Sequence, residues 1–165
     1  TWQDAVAITV PERLGSLGWV RTMPYPGFPT DAQAPLMAAA LKADGTTVFT
    51  ETIFQNRYRH VSEMARMGAR VRTEGKVAIV TGVPRLHGAS VRCTDLRGGA
   101  ALCAAALAAE GQSVIAEIHH IERGYEHLDE SLRQLGANIT RSDHETEAEE
   151  TQTEQPTTSE EGAGA

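Results

Sequence analysis

The sequence predicts an α/β fold built from repeated βα units, and three observations carry that expectation. The first is a doubling: Gly45 and Gly111, Glu51 and Glu117, and Arg57 and Arg123 are each separated by 66 positions. The second is the order of what surrounds them. Each copy runs from a Thr-Asp pair (Thr30-Asp31, Thr94-Asp95) through an Ala-rich stretch to an acid-glycine pair, Asp44-Gly45 or Glu110-Gly111. A β-like run then leads to Arg57 or Arg123. The third is that each copy closes on a helical pattern and a Gly-Ala pair, Gly68-Ala69 and Gly136-Ala137. A repeat of this length is a whole packing unit that stacks on its neighbours to bury its faces. Such alternation points to sheets covered on one side by helices.

Taken in order, Trp2 to Val10 and Trp19 to Thr22 read as short strands. Pro24-Tyr25-Pro26-Gly27-Phe28-Pro29 is a stiff loop whose prolines fix φ and forbid helix. Thr30 with Gln33 forms a capping-box pattern, so Asp31 to Lys42 is expected to be helical, ended by Gly45 in the left-handed region. Val48 to Phe54 has the β-branched and aromatic content of a strand. Val61, Met64 and Met67, with Ala65 beside them, mark one face of a helix ending at Gly68. Val71-Arg72 and Val77 to Val80 bracket Glu74-Gly75 as a hairpin. The second copy predicts helix over Leu96 to Ala109 and strand over Ser113 to Ile121. Tyr125, Leu128, Leu132 and Leu135 then line a last helix, capped by Gly136.

The formal charge of −7 over 165 residues is concentrated in one place. Positions 142–165 hold eight acidic residues and no Lys or Arg, which leaves 15 basic against 14 acidic side chains in positions 1–141. The body is near neutral. The tail is too poor in apolar residues to offset its ordering entropy and is expected to be disordered. The body, 1–141, is expected to be a single domain.

Cys93 and Cys103 lack CxxC spacing, which argues against a disulfide scaffold and a zinc site. No run approaches the ~18 apolar residues that span a bilayer, and no signal peptide opens the chain. A cytoplasmic location is expected, without membrane association. The basic residues are dispersed and scarcely interleaved with aromatics, so nucleic acid is not an expected partner. The chain opens on Thr1 rather than Met, which reads as a fragment.

Five residues suit chemistry on an anionic substrate. Asp31 and Asp95 each sit in the first turn of a helix, where an acid complements the macrodipole but also faces a loop-lined cleft. Arg57 and Arg123, each placed between a strand and a helix, and Arg97, near a helix N-terminus, supply forks for phosphate or carboxylate. A carboxylate to deprotonate a hydroxyl and cations for an oxyanion-rich intermediate fit together. His119-His120 is a weaker signal, because adjacent strand residues point to opposite faces and do not share a metal. Gly98-Gly99 lacks the GxxxxGK[ST] and GxGxxG patterns, so no nucleotide-loop role is assigned.

Five runs, in this order, resemble a known family. They are Pro24-Tyr25-Pro26-Gly27-Phe28-Pro29-Thr30-Asp31-Ala32-Gln33-Ala34, Thr52-Ile53-Phe54-Gln55-Asn56-Arg57, Arg66-Met67-Gly68, Thr94-Asp95-Leu96-Arg97 and His120-Ile121-Glu122-Arg123-Gly124-Tyr125-Glu126. The family is the UDP-N-acetylglucosamine 1-carboxyvinyltransferases, enolpyruvyl transferases of cell-wall synthesis, and the resemblance spans residues 1–141. It implies part of an inside-out α/β barrel of six similar units in two lobes. Two of those units, about 23–90 and 91–141, are represented here.

The implied reaction moves an enolpyruvyl group from phosphoenolpyruvate to the 3-hydroxyl of UDP-N-acetylglucosamine, by addition and then elimination. Asp31 matches the carboxylate at the sugar hydroxyl and Asp95 a second active-site carboxylate. Ile53, with Phe54 beside it, matches a contact to the UDP-sugar. Arg57, Arg97 and Arg123 match cations around phosphoenolpyruvate. No cofactor or metal is implied. Departures are Gly99, where the family usually has Ser, and Gln55, where it usually has Glu. The family's reactive Cys or Asp lies on a loop of the other lobe, matched by neither Cys93 nor Cys103, so the missing N-terminal lobe is an expected partner and the chain alone is expected to be inactive. Two other readings stand beside this one: a fragment of the enolpyruvyl transferase acting on shikimate 3-phosphate, and a non-catalytic binding or structural module.

Overall fold

A computed structural model describes residues 7–9 and 11–142. Strand β1 (Trp19–Arg21) leads into the proline loop, a 3-10 turn (Thr30–Ala32) and helix α1 (Gln33–Ala40). Pro35 is tolerated in α1 because the first turn has no intrahelical use for its N–H. Strand β2 (Thr46–Thr50), helix α2 (Val61–Arg66) and the hairpin β3 (Arg70–Glu74) and β4 (Val77–Thr81) complete the first unit. Its sheet has the order β1-β2-β4-β3, with β1 parallel to β2 (Trp19 opposite Val48) and the other pairs antiparallel.

The second unit opens with β5 (Leu86–His87) and β6 (Ser90–Arg92), followed by α3 (Leu96–Leu107), β7 (Ala109–Glu110) and β8 (Val114–Ala116). Helices α4 (His119–Glu122) and α5 (Leu128–Gln134) follow. β6 and β8 pair in parallel around α3, as β1 and β2 do around α1. Even ion pairs recur: Arg13 meets Asp44, and Arg85 meets Glu110 at 3.6 Å. Gly45 and Gly111 take φ of +97° and +88°, but neither caps a helix as expected: α1 ends at Ala40 with Leu41 as its right-handed cap residue, and Gly111 follows β7.

The helices lie inside. Met37, Ala38 and Leu41 of the α1 segment and Ala101, Leu102 and Ala105 of α3 are buried in one core with Phe49, Met64, Met67, Val80 and Val91. Alanines let α1 and α3 approach closely. Strand β4 shows the sheet's two faces, with Ala78 and Val80 buried and Ile79 41% exposed. A smaller cluster of Cys93, Cys103 and Ile121, flanked by Tyr125, Leu128 and Leu132, holds α4 and α5 to α3. A Cβ on Gly99 would sit 2.7 Å from Ile121 Cγ1, so glycine there is what lets α4 pack on α3.

Several local expectations are corrected. Thr30 caps nothing: its hydroxyl donates to Glu51 Oε2 at 2.8 Å, a charge-assisted bond that displaces the weaker cap. Gln33 is buried with neither amide atom bonded among the described residues. β2 ends at Thr50, because Glu51 Oε1 accepts the amides of Ile53 and Phe54 and draws them out of the ladder. His119 and His120 are helical, not extended. Glu117 takes φ +59°, which ends β8, and α4 then brings the two rings within 4.1 Å. Helix α3 stops at Leu107 and Ala109 enters β7.

The apolar stripes also narrow. Ala65 is exposed, and Leu135, past the last turn of α5, is 85% exposed with no described element over it. Most of the expected strand at Trp2 to Val10 lies outside the described residues, and residues 7–9 are not in a strand. The tail from 143 onward lies outside them too. No helix among the described residues is long and apolar enough to cross a membrane.

Candidate active site

The 3-10 turn that begins α1 presents Asp31 at the junction of the two units. Arg57 reaches it from the loop before α2, with Nη2 donating to Oδ1 at 2.9 Å. Arg97 reaches it from the first turn of α3, with Nη2 donating to Oδ2 at 3.0 Å. One carboxylate is therefore bonded by a guanidinium from each copy. The Arg97 hydrogen bond is the main cause holding the Asp31 carboxyl below its usual range; burial opposes it, and the charges of Arg97 and Arg57 and the Arg57 hydrogen bond reinforce it.

Both guanidiniums are braced from behind. Arg57 lies 5.1 Å from the Phe54 ring centroid and Arg97 5.2 Å from that of Tyr125. Such stacking fixes the guanidinium plane.

Asp95 is the N-cap of α3 rather than a first-turn residue. Its Oδ1 accepts the amides of Arg97 at 3.1 Å and Gly98 at 2.8 Å, so half of the carboxylate is committed to its own helix. Arg123 follows α4 as its C-cap, not a strand. A cavity of roughly 450 Å³ gathers Asp31, Arg57, Asp95, Arg97 and Arg123 on one wall system. Ile53 and Phe54, 39% and 49% exposed, stand outside that wall, and Phe54 joins the site only through Arg57.

Sequence reasoning missed several contributors. Arg59, Thr94, Leu96 and His120 also line the cavity. Arg59 carries a signal, lying two positions from Arg57; His120 falls in a run that the sequence reads as strand. Glu51 is the hidden support. Burial alone would raise its carboxyl, but the amides of Phe54 and Ile53 and the hydroxyls of Thr30 and Thr22 hold it below the usual range. That anchors the loop carrying Phe54 and Arg57, and its only signal was its place in the doubling.

His60 is fully buried, and burial pushes its imidazole down to about 4. Its Cβ would lie 3.0 Å from a Cβ on Gly98, so it packs the Arg57 segment against the start of α3. Burial raises the thiols of Cys93 and Cys103 to about 12 and about 11, far from a thiolate nucleophile. Among the described residues no group of three or more His, Cys, Asp or Glu side chains is gathered as for a metal ion.

Two parallel βαβ units with a carboxylate and several arginines at their junction define an α/β scaffold carrying a cavity suited to anions, and comparison gives it a family. The chain belongs to the EPSP synthase (3-phosphoshikimate 1-carboxyvinyltransferase) family, which it matches over residues 2–132. It is 53% identical over 137 residues to UDP-N-acetylglucosamine 1-carboxyvinyltransferase 1 of Symbiobacterium thermophilum, covering 83% of this chain and 31% of that protein. It is 55% identical over 122 residues to the enzyme of the same name from Caldanaerobacter subterraneus subsp. tengcongensis, covering 74% of this chain and 29% of that one.

Among solved structures, the enolpyruvyl transferase NikO from Streptomyces tendae superposes with a TM-score of 0.69 at 32% identity, covering 77% of this chain and 29% of that one. The chain thus spans about a third of the length of these relatives.

Proposed function

We propose that this chain is the part of an enolpyruvyl transferase that holds the acceptor's base and the anion-binding arginines. The reaction is transfer from phosphoenolpyruvate to the 3-hydroxyl of UDP-N-acetylglucosamine, a step of peptidoglycan synthesis in the cytoplasm. The observation that carries the reading is Asp31 in a cavity with Arg57 and Arg97 on its two oxygens. The names of the relatives at 53% and 55% identity supply the substrate class.

Asp31 takes the proton of the sugar hydroxyl as its oxygen adds to C2 of phosphoenolpyruvate, while C3 gains a proton from a donor outside this chain. Arg57, Arg97 and Arg123 stabilise the phosphate and carboxylate of the tetrahedral intermediate, which then loses a C3 proton and phosphate to give the enol ether. Asp95 orients Arg97 by capping α3 and offers a second carboxylate to the cavity. Ile53 and Phe54 sit beside it, where the UDP-sugar extends. Residues 1–141 form the working domain, with 142–165 as an appended tail, and the other lobe supplies the acid.

The test is phosphate release measured with the 165-residue chain alone and with the N-terminal lobe of a relative supplied in trans. Release is expected only with the lobe, only with UDP-N-acetylglucosamine, and to fall by about 100-fold or more in Asp31→Ala. Steady release by the chain alone removes the two-lobe reading. The family description favours a second acceptor, shikimate 3-phosphate, and release with that acceptor instead would select it.

A further inference from the structure

A carboxylate held below its usual range is a weak base, yet Asp31 is the group placed to accept a proton. The geometry contains a resolution. Arg57 and Arg97 each give Asp31 a single Nη2, at 2.9 and 3.0 Å. The Nε of each is buried and has no partner among the described residues. The buried Nε atoms are out of a ligand's reach, but the two side chains stay 19% and 26% exposed and line the cavity, so each guanidinium can meet a second oxyanion while bonded to the first.

We propose that Arg57 and Arg97 link anion binding to the basicity of Asp31: an oxyanion of the phosphate or carboxylate class that engages these two guanidiniums makes Asp31 a stronger base as it arrives. The direction does not depend on whether the anion displaces Asp31 from Nη2 or docks beside it. Either way, negative charge is added where the two cations alone had favoured the ionised carboxyl.

The other charged groups facing this space are Arg59 from the loop before α2, Asp95 from the cap of α3, and His120 and Arg123 from the α4 segment. Asp95 is engaged by its own helix amides, and His120 lies 3.9 Å from Glu117. Asp31 is thus the carboxylate that shares its cations with the cavity. The inference rests on the proposed function only for the anion's place in catalysis.

The test is a titration of the full chain with carboxyl-labelled aspartate, read by carbon NMR at constant ionic strength, with chloride replaced stepwise by inorganic sulfate. Sulfate keeps its charge across the carboxyl range. The Asp31 midpoint is expected to rise by about one pH unit, and sulfate to bind about tenfold tighter once Asp31 is protonated, the two being linked.

Arg97→Met, with Arg57→Met as a second variant, is expected to raise the midpoint without sulfate and to lose at least half of the response to it. A midpoint that sulfate leaves unmoved or lowers overturns the proposal, whether or not sulfate binds elsewhere. Failure of acceptor-dependent transfer with the Asp31 response intact strikes the proposed function alone.

Discussion

The two units share a βαβ core but differ in how they are finished. In the first, β2 is flanked on both sides, by β1 and by the β4-β3 hairpin, and the core beneath it is continuous with Phe49 at its centre. In the second, β8 pairs with β6 alone among the described strands, and the α4-α5 region rests on the small cluster of Cys93, Cys103 and Ile121. The matched acids diverged accordingly. Glu51 is buried and serves backbone amides, whereas Glu117 is exposed and pairs with Arg92 at 3.5 Å. The first copy is a finished scaffold that offers Asp31 and Arg57; the second is an open one that offers Asp95, Arg97 and Arg123.

The largest break in that comparison comes from the cores. Phe49→Ala is expected to cost about 3–5 kcal/mol, against about 2 kcal/mol for Ile121→Ala, both read from urea unfolding. Equal losses would mean that the second unit is as well packed as the first. Next is pH. His60 is neutral when buried, with a folded value of about 4 against an ordinary 6.5, so the unfolded chain binds the extra proton between those values. Stability therefore falls as pH drops from about 6.5 to about 4, by about 3 kcal/mol in all. His60→Phe should flatten this slope, and a slope that survives assigns it to other groups.

The acids give a smaller contrast. Glu51→Gln leaves buried donors with a poorer acceptor and is expected to cost about 1–3 kcal/mol. Glu117→Gln, at an exposed pair, should shift the unfolding midpoint scarcely at all, under about 0.5 kcal/mol. A comparably small effect is expected at the junction. Asp31 is 57% exposed, so Asp31→Asn should change stability by under about 1 kcal/mol near neutrality. Its folded value is lowered, so what stabilisation it has is present above the ordinary carboxyl range and is lost as pH falls through the folded value. A large neutral-pH loss would make Asp31 structural rather than functional.

Much of this architecture was legible in the sequence because it is written in local patterns. The hairpin at Glu74-Gly75, the face of Val61, Met64 and Met67, and the helix end at Gly68 all follow from backbone preference and side-chain period. Errors fell where a side-chain hydrogen bond or a left-handed residue overrode the local pattern. Glu51 took Thr30 from its cap and shortened β2, and left-handed Glu117 turned an expected strand at His119-His120 into a helix. Asp31, Asp95, Arg57, Arg97 and Arg123, singled out by type and spacing, line one cavity, but Arg59 and His60, which reach the cavity or pack behind it through tertiary contact, fall outside that pattern.

The sequence by itself determined the doubling, the longer helices and strands, and a stock of carboxylates and arginines at their ends, because repeats and periodicity are properties of neighbouring residues. Only the tertiary structure decided that Asp31 bonds Arg97 across 66 positions, from one copy to the other, while Asp95 turns back to its own helix. Which charged groups meet depends on how α1 and α3 pack. That packing follows from burying Met37, Leu41, Phe49 and Leu102 together, a collective term that no short stretch of sequence carries.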